Sequence, residues 1–242
     1  MSQELAYLSS GDHAIVIHVK DEISENVHHQ IRKLSYALET CRFCEITEFV
    51  LSYGSILVHY DPLRISFSDL VAKLKVEFNK MSDLELPTME IVHIPVCYDR
   101  EFGIDLSFVA QHNGLNHEAV IELHSREAYL VHMIGFLPGF PYLGGMSDKI
   151  NTPRLNTPRM KIPAGSVGIA GGQTGVYPID SPGGWRIIGR TPVKLFDMDK
   201  SEPALLRASQ YIKFDPISKE EFKQIENQVN SGSYELKVTR AE

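Results

Sequence analysis

The run 13–19 (HAIVIHV) is apolar and β-branched and predicts a strand. After it Ile23, Val27, Ile31, Leu34 and Leu38 recur at spacings of 4, 4, 3 and 4, which places them on one buried helical face, with Asp21 and Ser24 as candidate caps. Two β-rich runs, 46–52 and 55–60, flank the turn Tyr53-Gly54. A second helix then carries Leu70, Val71, Leu74, Phe78 and Met81 on one side. The order β, α, β, β, α makes up most of a split βαβ, ferredoxin-like unit, and the polar, proline-containing stretch 82–88 (SDLELPT) marks its end.

The pattern restarts with a strand at 89–98 (MEIVHIPVCY) and continues with short helices at 105–112 and 116–124, the latter capped by Asn116. A strand over 127–136 leads into a segment of different character. Twelve of the 17 glycines and eight of the 13 prolines fall between Gly135 and Pro192. Residues that fix turns or permit positive φ at this density exclude helix, and the segment predicts short strands and tight functional loops. Further strands are expected at 166–170, 175–179, 185–188, 193–196 and 211–214, a spacing that suits a barrel or sandwich. Ser218 to Glu221 reads as a capping box opening a last helix, and 231–242 reads as a frayed tail.

With 43% hydrophobic and 23% charged residues, the chain of 242 residues can bury a real core and is not a disordered or collagenous sequence. Its net charge of −7 offers no general attraction to nucleic acid or an anionic membrane. Neither class of partner is expected, so recognition of an anion must come from a local patch. Six basic residues against two acidic ones lie in the Gly/Pro-rich segment, which makes that segment the patch. No apolar run approaches the ~20 residues of a membrane span, and 1–10 has neither the basic nor the apolar region of a signal peptide. A cytoplasmic location follows as the expectation.

Cys41 and Cys44 form a lone C-x-x-C after a helix, where a redox pair would open one, and are read as structural. Ser166 in AGSVG resembles a nucleophile elbow without the helix that an elbow requires. Ten histidines form no H-E-x-x-H or tight His/Asp/Glu cluster, so no bound metal is expected. His124 and His132 flank the strand entering the Gly/Pro-rich segment and are the acid/base candidates, His124 first. The sharpest local signal is Thr-Pro-Arg repeated at 152–154 and 157–159. Two prolines stiffen the chain and display Arg154 and Arg159, a geometry suited to capturing carboxylate, phosphate or carboxylated biotin. Around them run FLPGFPY (136–142) and SPGGWR (181–186), candidate walls of a pocket.

Those motifs, with HSREAYLVHMIGFLPGFPYLGG (124–145), IPAGSVGIAGGQTGVYP (162–178) and SPGGWRIIGRTP (181–192), resemble the KipI/PxpB family of allophanate hydrolase subunit 1-like proteins, related to the carboxyltransferase subdomain C and D region of urea carboxylases. The resemblance implies an α+β protein, with a small ferredoxin-like N-terminal domain over 1–85 and a cyclophilin-like β-barrel domain with terminal helix over 86–242. It implies the B subunit of an ATP-dependent 5-oxoprolinase, working with PxpA-like and PxpC-like subunits on a small-molecule substrate, with ATP entering through the complex. The alternatives it carries are a KipI-type inhibitor docking on a histidine kinase dimerisation domain and an allophanate hydrolase or biotin-dependent carboxyltransferase component; biotin belongs to the last alone. On this reading the catalytic residues are His124, Arg154 and Arg159. Substrate would be lined by Phe136, Pro138, Gly139, Phe140, Tyr142, Lys161, Gly165, Ser166, Gln173, Tyr177, Pro182, Gly183, Gly184, Trp185 and Arg190.

Overall fold

The structure is a computed structural model and describes residues 5–22, 24–41, 43–80 and 86–240. The chain divides into two compact units, Met1–Pro87 and Thr88–Glu242. Ile23 and Met81, expected on helix faces, and most of the expected boundary segment lie outside the described residues.

In the first unit β1 (Ala6–Ser9), β2 (Ala14–His18), α1 (Glu25–Thr40), β3 (Ile46–Leu51), β4 (Ser55–Tyr60) and α2 (Phe67–Lys80) follow in order. The sheet order is β1-β2-β4-β3, antiparallel throughout. Helix α1 therefore connects two strands separated by β4, which is the split βαβ arrangement, and β1 occupies the outer place beside β2. Val27, Ile31, Leu34 and Leu38 of α1 and Leu70 and Leu74 of α2 are buried with Ile15, Ile17, Ile56 and Val58 of the two central strands. Of the two candidate caps Ser24 is the one used, its side chain accepting from the Val27 amide at 3.3 Å.

The second unit begins with β5 (Glu90–Val96), α3 (Leu106–His112), α4 (His117–Ser125), β6 (Tyr129–Ile134) and β7 (Pro141–Gly144). A 3-10 turn (Asp148–Ile150) precedes β8 (Arg159–Ile162), β9 (Ser166–Ala170), β10 (Gln173–Val176), β11 (Ser181–Gly183) and β12 (Arg186–Arg190). Then come β13 (Tyr211–Pro216), α5 (Lys219–Ser231) and β14 (Val238–Arg240). The expected caps are present: Asn116 accepts from Ala119 N at 2.8 Å, and Ser218 and Glu221 form the reciprocal capping box.

The architecture is mixed α+β with several sheets, and the expected barrel is not closed by one continuous ladder among the described residues. The strands of this unit fall into sheets of order β14-β5-β13-β6-β7, β10-β9-β12 and β11-β8. Register breaks at Val131/Met133 and Ile187/Gly189 interrupt pairing, and isolated bridges Cys97↔Arg190 and Thr152↔Gly171 join segments that no ladder connects. Two further expectations change. The expected frayed tail 231–242 is, over its described residues, not simply frayed, because Val238–Arg240 pairs with β5 while Leu236 packs on the core. Residues 193–196 form no strand: Val193 and Leu195 are buried in strand-like alternation, but only the bridge Phe196↔Ala204 is made. No helix among the described residues is long and apolar enough to cross a membrane.

Candidate active-site face

The Gly/Pro-rich segment folds into short strands whose turns assemble a largely buried aromatic cluster, fronted by exposed Phe136, and a basic cluster. Beyond β6 the chain reverses tightly, with Gly135 N donating to Phe140 O at 3.0 Å and Phe140 N to Leu137 O at 3.0 Å. This turn sets Phe136 at φ 67, a left-handed conformation that a bulky residue adopts at a cost of roughly 1–3 kcal/mol. The side chain gains little burial in return, being 70% exposed. Strain spent on displaying an aromatic ring points to a surface that receives something.

Behind Phe136 stands Phe140, 2% exposed and the hub of an edge-to-face cluster. Its ring centroid lies 5.3 Å from Tyr142, 5.6 Å from Tyr177 and 5.5 Å from Trp185, the last at 90°. Glycine makes this closeness attainable. A Cβ at Gly175 would come within 3.0 Å of Phe140 and 3.1 Å of Trp185, and one at Gly183 would meet the Tyr177 hydroxyl at 2.4 Å. Burial raises the Tyr177 pKa, keeping its phenol neutral.

The paired Thr-Pro-Arg units do not act as a pair. Leu155 N donates to Gly184 O at 2.7 Å and Arg186 Nε to Pro153 O at 3.3 Å, pinning the loop against the β11–β12 turn. Arg154 stays exposed with its guanidinium 5.9 Å over the Trp185 ring. Arg159 instead turns toward α3, donating to Asp105 Oδ1 at 2.8 Å and to Trp185 O at 3.3 Å. Asp105 is 7% exposed and sits at the N-cap position of α3 without capping it. Its Oδ2 accepts from Ile187 N at 2.7 Å, and Arg186 approaches Oδ1 at 3.9 Å while stacking over Phe108 at 3.6 Å. The local charge of Arg159 is therefore already matched.

His124 is not placed to exchange protons with a ligand at this face. It is 0% exposed and stacks on Phe214 at 4.6 Å. The Thr174 hydroxyl donates to Gly168 O at 3.0 Å, so it accepts from His124 Nε2–H at 2.7 Å, which leaves Nδ1 to accept from the Tyr98 hydroxyl at 2.8 Å. Both ring nitrogens are engaged in the core, and burial lowers the pKa to about 3. His132 is also buried, and its pKa is lowered by the same cause.

A second cluster lies along β8. Arg159, Lys161, Ser166 and Arg190 line one pocket, joined by Phe102, Ile104, Ile162 and Ile187. Lys161 pairs with Asp180 at 2.8 Å, and Arg190 Nε donates to Ala164 O at 2.9 Å. Gly165, at φ 81, lets this turn run against Thr191 O, 2.3 Å from where a Cβ would stand. Pro138 and Pro182 are exposed, Gly139 is buried, and Gln173 and Gly184 are half-buried. Sequence reasoning missed Asp105 and Arg186. The only signal for Asp105 was its place before α3, which suggests a cap and not a partner 54 residues away. Among the described residues no group of three or more His, Cys, Asp or Glu side chains could hold a metal ion.

Comparison with known proteins gives a consistent result. Residues 5–206 match the family described as carboxyltransferase domain, subdomain C and D. The B subunit of 5-oxoprolinase from Bacillus subtilis (strain 168) is 41% identical over 222 residues, covering 88% of this chain and 92% of that protein. The B subunit of 5-oxoprolinase from Haemophilus influenzae is 45% identical over 172 residues, covering 70% and 79%. The crystal structure of TTHA0988 superposes with a TM-score of 0.75 at 35% identity, covering 85% of this chain and 40% of that one.

Proposed function

The chain belongs to the carboxyltransferase subdomain C and D family, and from that premise we propose that it acts as the B subunit of a 5-oxoprolinase, opening the lactam of 5-oxoproline to glutamate together with partner subunits. The observation that carries this reading is 41% identity to the B subunit of the Bacillus subtilis 5-oxoprolinase over 92% of that protein's length. Opening an unstrained lactam needs activation, and we assign ATP and its binding to the assembled complex, with PxpA-like and PxpC-like subunits as the partners.

This chain contributes the Gly/Pro-rich face as one half of a composite site with the C-type partner. Phe136 and Tyr142 supply an aromatic shelf backed by buried Phe140 and Trp185, and Arg154 supplies a guanidinium above Trp185 that has no acidic partner among the described residues. Negative charge gathers on the lactam oxygen and on any transferred phosphoryl group as the amide is activated, and a fixed cation stabilises it. Arg154 is thus an electrostatic positioning group. Arg159 braces the loop from which Arg154 projects, and His124 belongs to the core.

Glutamate release from 5-oxoproline plus ATP should require this chain in addition to the A-type and C-type subunits. Arg154→Ala should lower kcat/KM in that assay by about ten- to a hundredfold, with the unfolding midpoint unchanged because the side chain is exposed. Full activity without the chain would overturn the proposed place in the complex, and unchanged turnover in the variant would overturn the role of Arg154 alone.

A further inference from the structure

The pocket along β8 has a volume of about 90 Å³. This is far below the roughly 300–1,000 Å³ of sites for larger ligands, so it suits one end of a small molecule and not a nucleotide. Phe102, Ile162 and Ile187 give it apolar walls, while Arg159, Lys161 and Arg190 bring positive charge to it. The carboxylates nearby cancel only part of that charge. Asp105 is shared between Arg159 and Arg186, Asp180 pairs with Lys161, and Glu101 at the pocket is paired with Lys219. Arg190 has no acidic hydrogen-bond partner among the described residues and donates to the Ala164 carbonyl instead. The Lys161–Asp180 pair is surface-exposed, 71% and 52% by side chain, and such pairs exchange readily for a better acceptor.

A second, independent observation concerns Ser166. It lines the pocket and is 2% exposed, and its hydroxyl is not among the fully enclosed polar atoms left without a partner, so it can reach the cavity. A hydroxyl that reaches a cavity can donate to a ligand oxygen there. A cationic rim, a hydroxyl at the cavity and apolar walls together match a carboxylate attached to a small, largely apolar body. Free phosphate would use the charge and leave the walls uncovered.

The geometry points to this pocket as the subsite for the carboxylate of a small cyclic amino-acid derivative, the group that 5-oxoproline retains throughout its hydrolysis. The inference rests on the 5-oxoprolinase reading and adds to it a division of labour: Lys161, Arg190 and Ser166 anchor the carboxylate, while Arg154 serves the amide end. Arg159 lines the pocket and also donates to the Trp185 carbonyl, which ties the anchoring subsite to the aromatic shelf.

Calorimetric titration of the full chain with 5-oxoproline, 2-pyrrolidinone and inorganic phosphate tests this directly. 5-Oxoproline should bind, 2-pyrrolidinone, which has the ring without the carboxylate, should not, and phosphate should fail to displace the bound ligand. Lys161→Gln should weaken binding by about tenfold and Ser166→Ala by about threefold. Lys161 is exposed and Ser166→Ala removes only a hydroxyl that reaches the cavity, so neither change should disturb folding. No binding, equal affinity in both variants and the wild type, tight binding of 2-pyrrolidinone or displacement by phosphate would each overturn the subsite. The functional reading fails separately. A complex that needs the chain for activity but shows an unchanged KM for 5-oxoproline in both variants keeps the role in the complex and rejects the pocket; a chain that binds as expected in a complex without activity does the reverse.

Discussion

Lowering the pH from 6.5 toward 3 should cost the unit Thr88–Glu242 stability through His124 alone, at a slope approaching about 1.4 kcal/mol per pH unit. In the unfolded chain this imidazole takes a proton at its ordinary pKa of 6.5, whereas in the core it stays neutral down to about 3. Between those values the unfolded state holds one proton more than the native state, so stability falls with falling pH. Above 6.5 the contribution vanishes, and below about 3 it changes no further. The whole window amounts to about 5 kcal/mol, a large share of a typical domain's stability. The cause is geometric: the ring is fully enclosed, stacked on Phe214, and has no carboxylate among its hydrogen-bond partners to accompany a positive charge. Urea unfolding of wild type and His124→Phe, compared at about pH 7 and about pH 5, isolates the effect, since buried His132 titrates in both. The variant should start less stable, because the Tyr98 hydroxyl loses its acceptor, and should lose less on acidification. Parallel losses in the two proteins would show that His124 does not set the slope.

The same histidine shows where sequence reading stops. A histidine at the edge of a glycine-rich segment looks identical in sequence whether its ring faces a cleft or a core, because the rings that enclose it come from Tyr98, Tyr129 and Phe214. Local features were legible. The face of α1 is written in Val27, Ile31, Leu34 and Leu38, and each of the caps Ser24, Asn116 and Ser218 lies within three residues of the amide it serves. Features that need a distant neighbour were not. Strand β1 is mostly exposed and carries no alternation of its own, and β14 exists through its pairing with β5, where Val238 meets Val92 from the far end of the unit. Conversely, Val193 and Leu195 have the alternation of a strand and bury like one, yet find no ladder. For the candidate site, the density of glycine and proline marked the right segment because the aromatic cluster cannot close without Gly175 and Gly183. The pairing of two arginines in the sequence misled, since one of them is claimed by a carboxylate that the sequence places before α3.

Removing that carboxylate should have the second large effect. Asp105→Ala is expected to destabilise the chain by roughly 3–5 kcal/mol, because Asp105 is 7% exposed and joins three things at once. Its Oδ1 accepts from Arg159, its Oδ2 accepts from the Ile187 amide, and its own amide donates to Ile187 O at 2.8 Å. The last of these survives the substitution; the first two do not, leaving a buried N–H and a half-buried guanidinium without their acceptor. Asp105→Asn should fall between, since its amide oxygen can still serve Ile187 N while the charge is lost. Replacing both partners, as in Asp105→Leu with Arg159→Met, should recover much of the loss, because an apolar pair needs no desolvated charge to be matched. Function should not return with stability. Without Arg159 holding the Trp185 carbonyl, the loop bearing Arg154 loses a brace, so a refolded double variant should still show a raised KM or a lowered kcat in glutamate release. Denaturation midpoints of the wild type, the two single variants and the double variant give the coupling between the two residues, and a coupling near zero would mean that Asp105 serves α3 and β12 without positioning the arginine at all.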